Sequence, residues 1–202
     1  MTQVTIGAKD VAELRKRTGA GMMDCKKALE ESGGEMDKAA EWLRARGIAK
    51  AEKRAGREAK EGRIELYHHH NAKLAVLVEV SCETDFVART DDFIALCRNV
   101  AMHIASTAPL AVNAADIPAE VVERERRICE EQVSAEGKPE AIRAKIVEGK
   151  LKKYFSEVAL LEQPFVKDDT MTVGDMVKSA SGKTGENIQV RRFVRFQLGE
   201  AV

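Results

Sequence analysis

One run of this chain is apolar on both alternating faces: Leu74, Val76, Val78 and Val80 on one, Ala75 and Leu77 on the other. Such a segment reads as a strand buried on both sides, and so as a central strand of a sheet. It ends at Cys82-Glu83-Thr84-Asp85-Phe86-Val87, which sets an acid beside a large aromatic at the mouth of a stiff element. A pair of that kind can act as a wedge, the ring entering an apolar pocket while the carboxylate stays near water. Spacing argues for a different role. Phe86 lies seven positions before Phe93, as on one helical stripe, so the local pattern alone assigns Phe86 to the core.

Upstream, residues 8–54 predict three short helices. The first carries Val11 and Leu14, the second Met22, Cys25, Ala28 and Leu29, the third Met36, Ala39, Ala40 and Leu43 with Trp42 beside them. Thr18-Gly19-Ala20-Gly21 and Gly33-Gly34 are the breaks, since glycine accepts the backbone angles of a tight turn. Three helices of this size close a miniature core and suit a docking module. Lys50 to Gly62 is a charged stretch with Lys50, Lys53, Arg54, Arg57 and Lys60, read as a solvated helix end or linker. Arg63 to His69 predicts a first strand before the Leu74–Ser81 strand.

Downstream, Phe93, Leu96, Cys97, Val100, Ile104 and Ala105 mark a long amphipathic helix with Thr90 as its cap. Residues 119–155 predict a helical hairpin with Gly137 and Pro139 at its tip. Residues 119–136 hold six acids and three bases, and 138–153 two acids and six bases, so antiparallel arms attract. Val158–Leu161 reads as a strand, Val173–Ser179 as a short helix. The last strand alternates Ile188, Val190, Val194, Phe196 and Leu198, with Arg192 interrupting. The fold class is therefore α+β, with residues 1–54 as a three-helix docking domain. Residues 55–202 form an antiparallel sheet packed with helices, from which the 119–155 hairpin projects.

Lys plus Arg and Asp plus Glu are both 33, giving zero net charge, which argues against a whole-chain nucleic-acid binder. The cysteines at 25, 82, 97 and 129 are too dispersed for a metal clip and read as free thiols of a reducing compartment. Met1 to Gly7 lacks a secretory pattern, and no stretch approaches the ~20 apolar residues of a membrane helix. The expectation is a soluble, cytoplasmic protein.

Catalytic chemistry finds little footing. Gly182-Lys183-Thr184 lacks the earlier glycine of a phosphate loop, since position 177 is Val177, and is read as an ordinary loop. Consecutive strand residues His68, His69 and His70 cannot all face one ion. His103 reads as a satisfied helix histidine, and Cys82 and Cys97 have no nearby histidine–acid pair. The chain reads as a binding protein without cofactor or metal.

A longer pattern adds to this. Arg17-Thr18-Gly19-Ala20-Gly21-Met22-Met23-Asp24-Cys25-Lys26-Lys27-Ala28-Leu29 closely resembles the N-terminal signature of the elongation factor Ts family, guanine-nucleotide exchange factors of elongation factor Tu. Glu79-Val80-Ser81-Cys82-Glu83-Thr84-Asp85-Phe86-Val87-Ala88, Val100–Ala105, Gly137-Lys138-Pro139, Val147–Lys150, Gln163–Val166 and Val194-Arg195-Phe196 match in order along almost the whole chain. The resemblance implies that Thr84, Asp85, Phe86 and Val87 disturb magnesium binding in the partner GTPase. It implies a ubiquitin-associated-like N-terminal bundle that docks through Arg17, Thr18, Gly19, Ala20, Gly21, Met22, Met23, Asp24, Lys26 and Lys27. It also assigns His103 to a further partner contact and 119–155 to a coiled-coil arm. Only one core subdomain precedes the hairpin, as in shorter members, which implies a homodimer in a 2:2 complex, with no membrane or direct nucleic-acid contact. The competing reading is an RNA- or ribosome-associated helical binding protein using Lys50 to Lys60.

Overall fold

The computed structural model describes residues 6–137 and 139–200. Lys138, within the hairpin-tip motif, and the first five residues lie outside the described residues. Two compact units account for the chain. The first comprises residues up to 62 with 81–93 and 177–189, the second 63–80, 94–176 and 190 onward.

In the first unit, helices α1 (Ala8–Thr18), α2 (Met22–Glu31) and α3 (Met36–Glu52) form the predicted bundle. Leu14, Cys25, Ala28, Leu29 and Ala39 are fully buried in its core, with Trp42 packed against them. Gly19 ends α1 at φ 70°, a left-handed conformation that favours glycine. Met22 differs from expectation. It opens α2 before the helix has turned its apolar side inward, and is exposed. The charged stretch after Lys50 is not a loose linker. Ala51 is buried, and the carbonyls of Ala55 and Arg57 accept hydrogen bonds from the Asn187 amide at 3.2 and 2.6 Å.

The three-stranded sheet runs β1 (Glu61–His68), β2 (Leu74–Cys82), β5 (Gln189–Gln197), with β2 central as predicted. A backbone bond from His69 to the Leu74 carbonyl closes the β1–β2 hairpin. The bond from Leu198 to the Lys73 carbonyl sets the end of β5 beside the start of β2, an antiparallel arrangement. Only one face of the sheet is covered. Glu65, Val76, Val78 and Val80 are buried, whereas Ile64, Leu66, Leu77, Val194 and Phe196 are exposed. The expectation that β2 is buried on both faces thus holds for one of them.

Helix α5 (Asp91–Thr107) buries Leu96, Cys97, Val100, Ala101 and Ile104 along the predicted stripe, and its Arg98 pairs with Glu65 at 3.6 Å. Helices α6 (Ala119–Ala135) and α7 (Glu140–Val158) form the hairpin. Cys129 and Val133 pack on Val147 and Leu151, and Lys150 reaches Glu136 at 3.2 Å across the arms. Ile128 and Ile142 are exposed. The predicted Val158–Leu161 strand is not formed. Helix α7 runs to Val158, Ala159 makes a single bridge to Ala111, and Leu160–Glu162 is a 3₁₀ turn. A small hairpin of β3 (Pro164–Phe165) and β4 (Asp168–Thr172) follows, too short to leave an alternating pattern. Helix α8 (Val173–Thr184) is longer than predicted. Gly182-Lys183-Thr184 is its last turn and not a loop.

Candidate functional site

Phe86 is the most exposed large apolar side chain among the described residues, at 80%. Its place follows from two caps. Thr84 begins the one-turn helix α4 (Asp85–Ala88), its hydroxyl accepting the Val87 N–H at 3.4 Å. Thr90 then starts α5 afresh, accepting the Phe93 N–H at 3.3 Å while donating to the Val87 carbonyl at 2.8 Å. The break separates Phe86 from Phe93, which is buried, so the seven-residue spacing does not describe one continuous helix.

The tip is anchored from behind. One Glu186 oxygen accepts the backbone N–H groups of Glu83 and Thr84 at 3.0 and 3.1 Å, and the other accepts the Thr84 hydroxyl at 2.5 Å. Reciprocally, the Glu83 carboxylate accepts the Asn187 N–H at 2.6 Å and pairs with Arg57 at 3.5 Å. Ser181 donates to the Glu186 carbonyl. Cys82 is fully buried behind the tip and donates to the Thr84 carbonyl at 3.1 Å. Burial, and then the neighbouring Glu186 charge, push its thiol pKa up to about 11. Asp85 pairs with Arg89 at 3.0 Å on the solvent side. Glu186, Asn187 and Ser181 carry no local sequence signal, because about a hundred residues separate them from the groups they hold.

The signature residues 17–27 fall in the same unit as the tip. Met22 and Met23 are exposed at 46% and 77%. Arg17 pairs with Asp37 at 2.7 Å, and the Thr18 hydroxyl donates to the Leu14 carbonyl at 2.7 Å and accepts the Ala20 N–H at 3.3 Å. Gly21 is the N-cap of α2. Asp24 pairs with Lys50 at 2.9 Å, which fastens the start of α2 to α3. Lys26 and Lys27 are exposed.

His103 belongs to the second unit and has no exposed surface. Its Nε2 donates to Gln163 Oε1 at 2.9 Å and its Nδ1 accepts the Val166 N–H at 3.2 Å, which fixes a neutral imidazole. Burial lowers its pKa, against a smaller opposing pull from the Gln163 bond. In this conformation the ring touches no solvent, so any influence on a partner passes through the Gln163–Val166 segment.

Four of the five Lys50–Lys60 bases are engaged within the protein: Lys50 with Asp24, Arg54 with the Ser181 carbonyl at 3.3 Å, Arg57 with Glu83, and Lys60 with Glu58 at 2.8 Å. His69 bonds the Tyr67 hydroxyl at 2.8 Å. Among the described residues no three His, Cys, Asp or Glu side chains are placed to share a metal ion, and no helix is long and apolar enough to cross a membrane.

An α+β scaffold that holds an exposed aromatic on a stiff tip, and an exposed methionine pair in the same unit, defines a protein built to present contact surface. The chain belongs to the elongation factor Ts family, and so to the translation elongation factors: the family model for Elongation factor TS matches residues 4–200. It is 58% identical over 198 residues to Elongation factor Ts of Synechococcus sp. (strain RCC307), covering 98% of this chain and 91% of that protein. It is 56% identical over 195 residues to the protein of that name from Thermosipho melanesiensis, covering 96% and 100%. The Fervidobacterium nodosum protein of that name is 55% identical over 195 residues, covering 96% and 99%.

Proposed function

We propose that this protein promotes release of GDP from elongation factor Tu by disturbing its bound Mg²⁺, acting as an exchange factor without covalent chemistry. The observation that carries this reading is the 80% exposure of Phe86 on a tip held by Glu186. Transferring such a ring from water into an apolar pocket gains about 1.5–3 kcal/mol, enough to help open a gap between partner helices. Mg²⁺ and a diphosphate stabilise each other by charge, so displacing the elements that hold the ion weakens both. Thr84, Asp85, Phe86 and Val87 form the displacing tip. Residues 1–54 are the docking domain, with Met22 and Met23 its apolar contact and Arg17, Thr18, Gly19, Ala20, Gly21, Asp24, Lys26 and Lys27 shaping and charging the surface around them. His103 acts indirectly, by holding the segment up to Val166. Linkage is reciprocal: if the factor weakens nucleotide binding, nucleotide weakens factor binding by the same free energy, so GTP displaces it.

The rest of the chain, residues 55–202, is the core and pairing domain, and 119–155 its arm. The uncovered sheet face of Ile64, Leu66, Leu77, Val194 and Phe196 suits pairing with a second copy. The Arg192–Glu79 pair at 2.7 Å, on the same face, offers a self-complementary polar centre under two-fold symmetry. The working assembly is then a 2:2 complex in the cytoplasm.

Stopped-flow release of labelled GDP from elongation factor Tu tests the exchange reading. Phe86→Ala should lower the maximal rate at least ~10-fold with docking retained. Full exchange activity in that variant removes the wedge. Tight, salt-sensitive RNA binding with no effect on GDP release would favour the RNA-associated alternative.

A further inference from the structure

We infer that Glu186 is the positioning residue of the tip: its carboxylate holds the Glu83–Thr84 backbone in the one conformation that presents Phe86 outward. The inference rests on the exchange reading above and adds a residue to it.

The geometry is specific. Glu83 and Thr84 lie between the end of β2 and the first turn of α4, where no sheet or helix ladder serves their N–H groups. Both are taken by a single Glu186 oxygen at 3.0 and 3.1 Å. The second oxygen takes the Thr84 hydroxyl proton at 2.5 Å, which leaves the Thr84 oxygen lone pairs directed at the Val87 N–H. The cap of α4 is therefore oriented by Glu186. Hydrogen bonds to an ionised acceptor are the stronger kind, and three converge here. Glu186 is itself held: Ser181 donates to its carbonyl, and its neighbour Asn187 bonds both the Glu83 carboxylate and the 55–57 backbone. Removing the carboxylate frees two backbone donors and one cap at once, and the tip then samples other conformations. Because only the seated fraction is competent, the apparent activity falls to that fraction of its full value.

The test is GDP release from elongation factor Tu at varied factor concentration, comparing Glu186→Ala, Glu186→Asp, Glu186→Gln and Phe86→Ala. Glu186→Ala should lower the maximal rate ~10-fold while the half-saturating concentration, set mainly by the bundle, moves less than ~3-fold. Glu186→Asp keeps the charge but is one methylene too short and should lose nearly as much. Glu186→Gln keeps an oxygen for the two N–H groups but loses the charge and the acceptor of the Thr84 hydroxyl, and should recover only part of the rate. A loss in Phe86→Ala together with full rates in Glu186→Ala overturns the positioning role and leaves the exchange reading standing. A full rate in Phe86→Ala instead removes the exchange reading itself. A change confined to half-saturation also overturns the inference, since it would place Glu186 in docking. Should Glu186→Ala not fold, a full maximal rate in a folded Glu186→Asp has the same force.

Discussion

Replacing His103 with alanine would strip the Val166 N–H of its acceptor and leave the Gln163 side-chain oxygen with the Thr107 hydroxyl as its donor. An unsatisfied group of this kind costs about 1–3 kcal/mol, so urea unfolding of His103→Ala should show a loss of that size. The same ring sets a pH dependence. Its folded pKa is lowered by burial, so the unfolded chain binds the proton more readily. The stabilisation is full above the unfolded value of ~6.5 and is lost progressively as pH falls below it through the depressed folded value. A stability–pH curve should show that loss in the wild type and a smaller one in His103→Asn. Thiol chemistry gives a second residue-scale expectation. With all four cysteines buried and Cys82 pushed up to about 11, iodoacetamide at pH 8 should label the native protein slowly and leave GDP release intact. Rapid native labelling of Cys82 would contradict the closed geometry behind the tip.

At the scale of elements, α3 and α8 cross with their backbones in contact. A Cβ built on Gly182 would lie 2.9 Å from Gly47 Cα and 3.1 Å from its carbonyl oxygen, and neither backbone atom can yield as a flexible side chain would. Gly182→Ala should therefore cost about 1–3 kcal/mol. Gly47→Ala meets nothing within 4 Å and removes a helix-interior glycine, so thermal unfolding should show it neutral or up to ~1 kcal/mol more stable. The two glycines look alike in the sequence, and only the crossing tells them apart. Legibility along the chain follows the same line. The three-helix bundle, the stripe of α5 and the hairpin core were readable because each is set by periodicity over ten residues or more, and the central place of β2 because it is apolar on both alternating faces. The β3–β4 hairpin left no period to read. Val158–Leu161 is apolar enough for a strand but is divided between the last residue of α7, a single bridge at Ala159 and the 3₁₀ turn that follows, and Gly182 sits inside a helix despite its type. Phe86 misled for a definable reason: a seven-residue stripe was counted across Thr90, although Thr90 is already marked in the sequence as the cap of the following helix.

For the whole molecule, the uncovered sheet face makes the pairing reading testable. Phe196→Asp combined with Leu66→Asp sets two charges among exposed apolar side chains and should leave a folded monomer by light scattering, with the wild type at twice its mass. An unchanged dimer would move the pairing surface elsewhere. The charged segment after Lys50 also changes meaning at this scale, from a solvated tether to backbone pinned by Asn187. No property of its own composition announces that, because the pin comes from more than a hundred residues away. The carboxylate that seats Thr84 stands 102 positions nearer the C-terminus. On the ribosome, α1 to α3 emerge early and can close their own core, but the segment bearing Phe86 must wait for its latch until most of the chain has been made. Nascent and prematurely terminated chains would then carry the bundle without a seated tip, and an exchange activity of the kind proposed would be absent until synthesis is nearly finished.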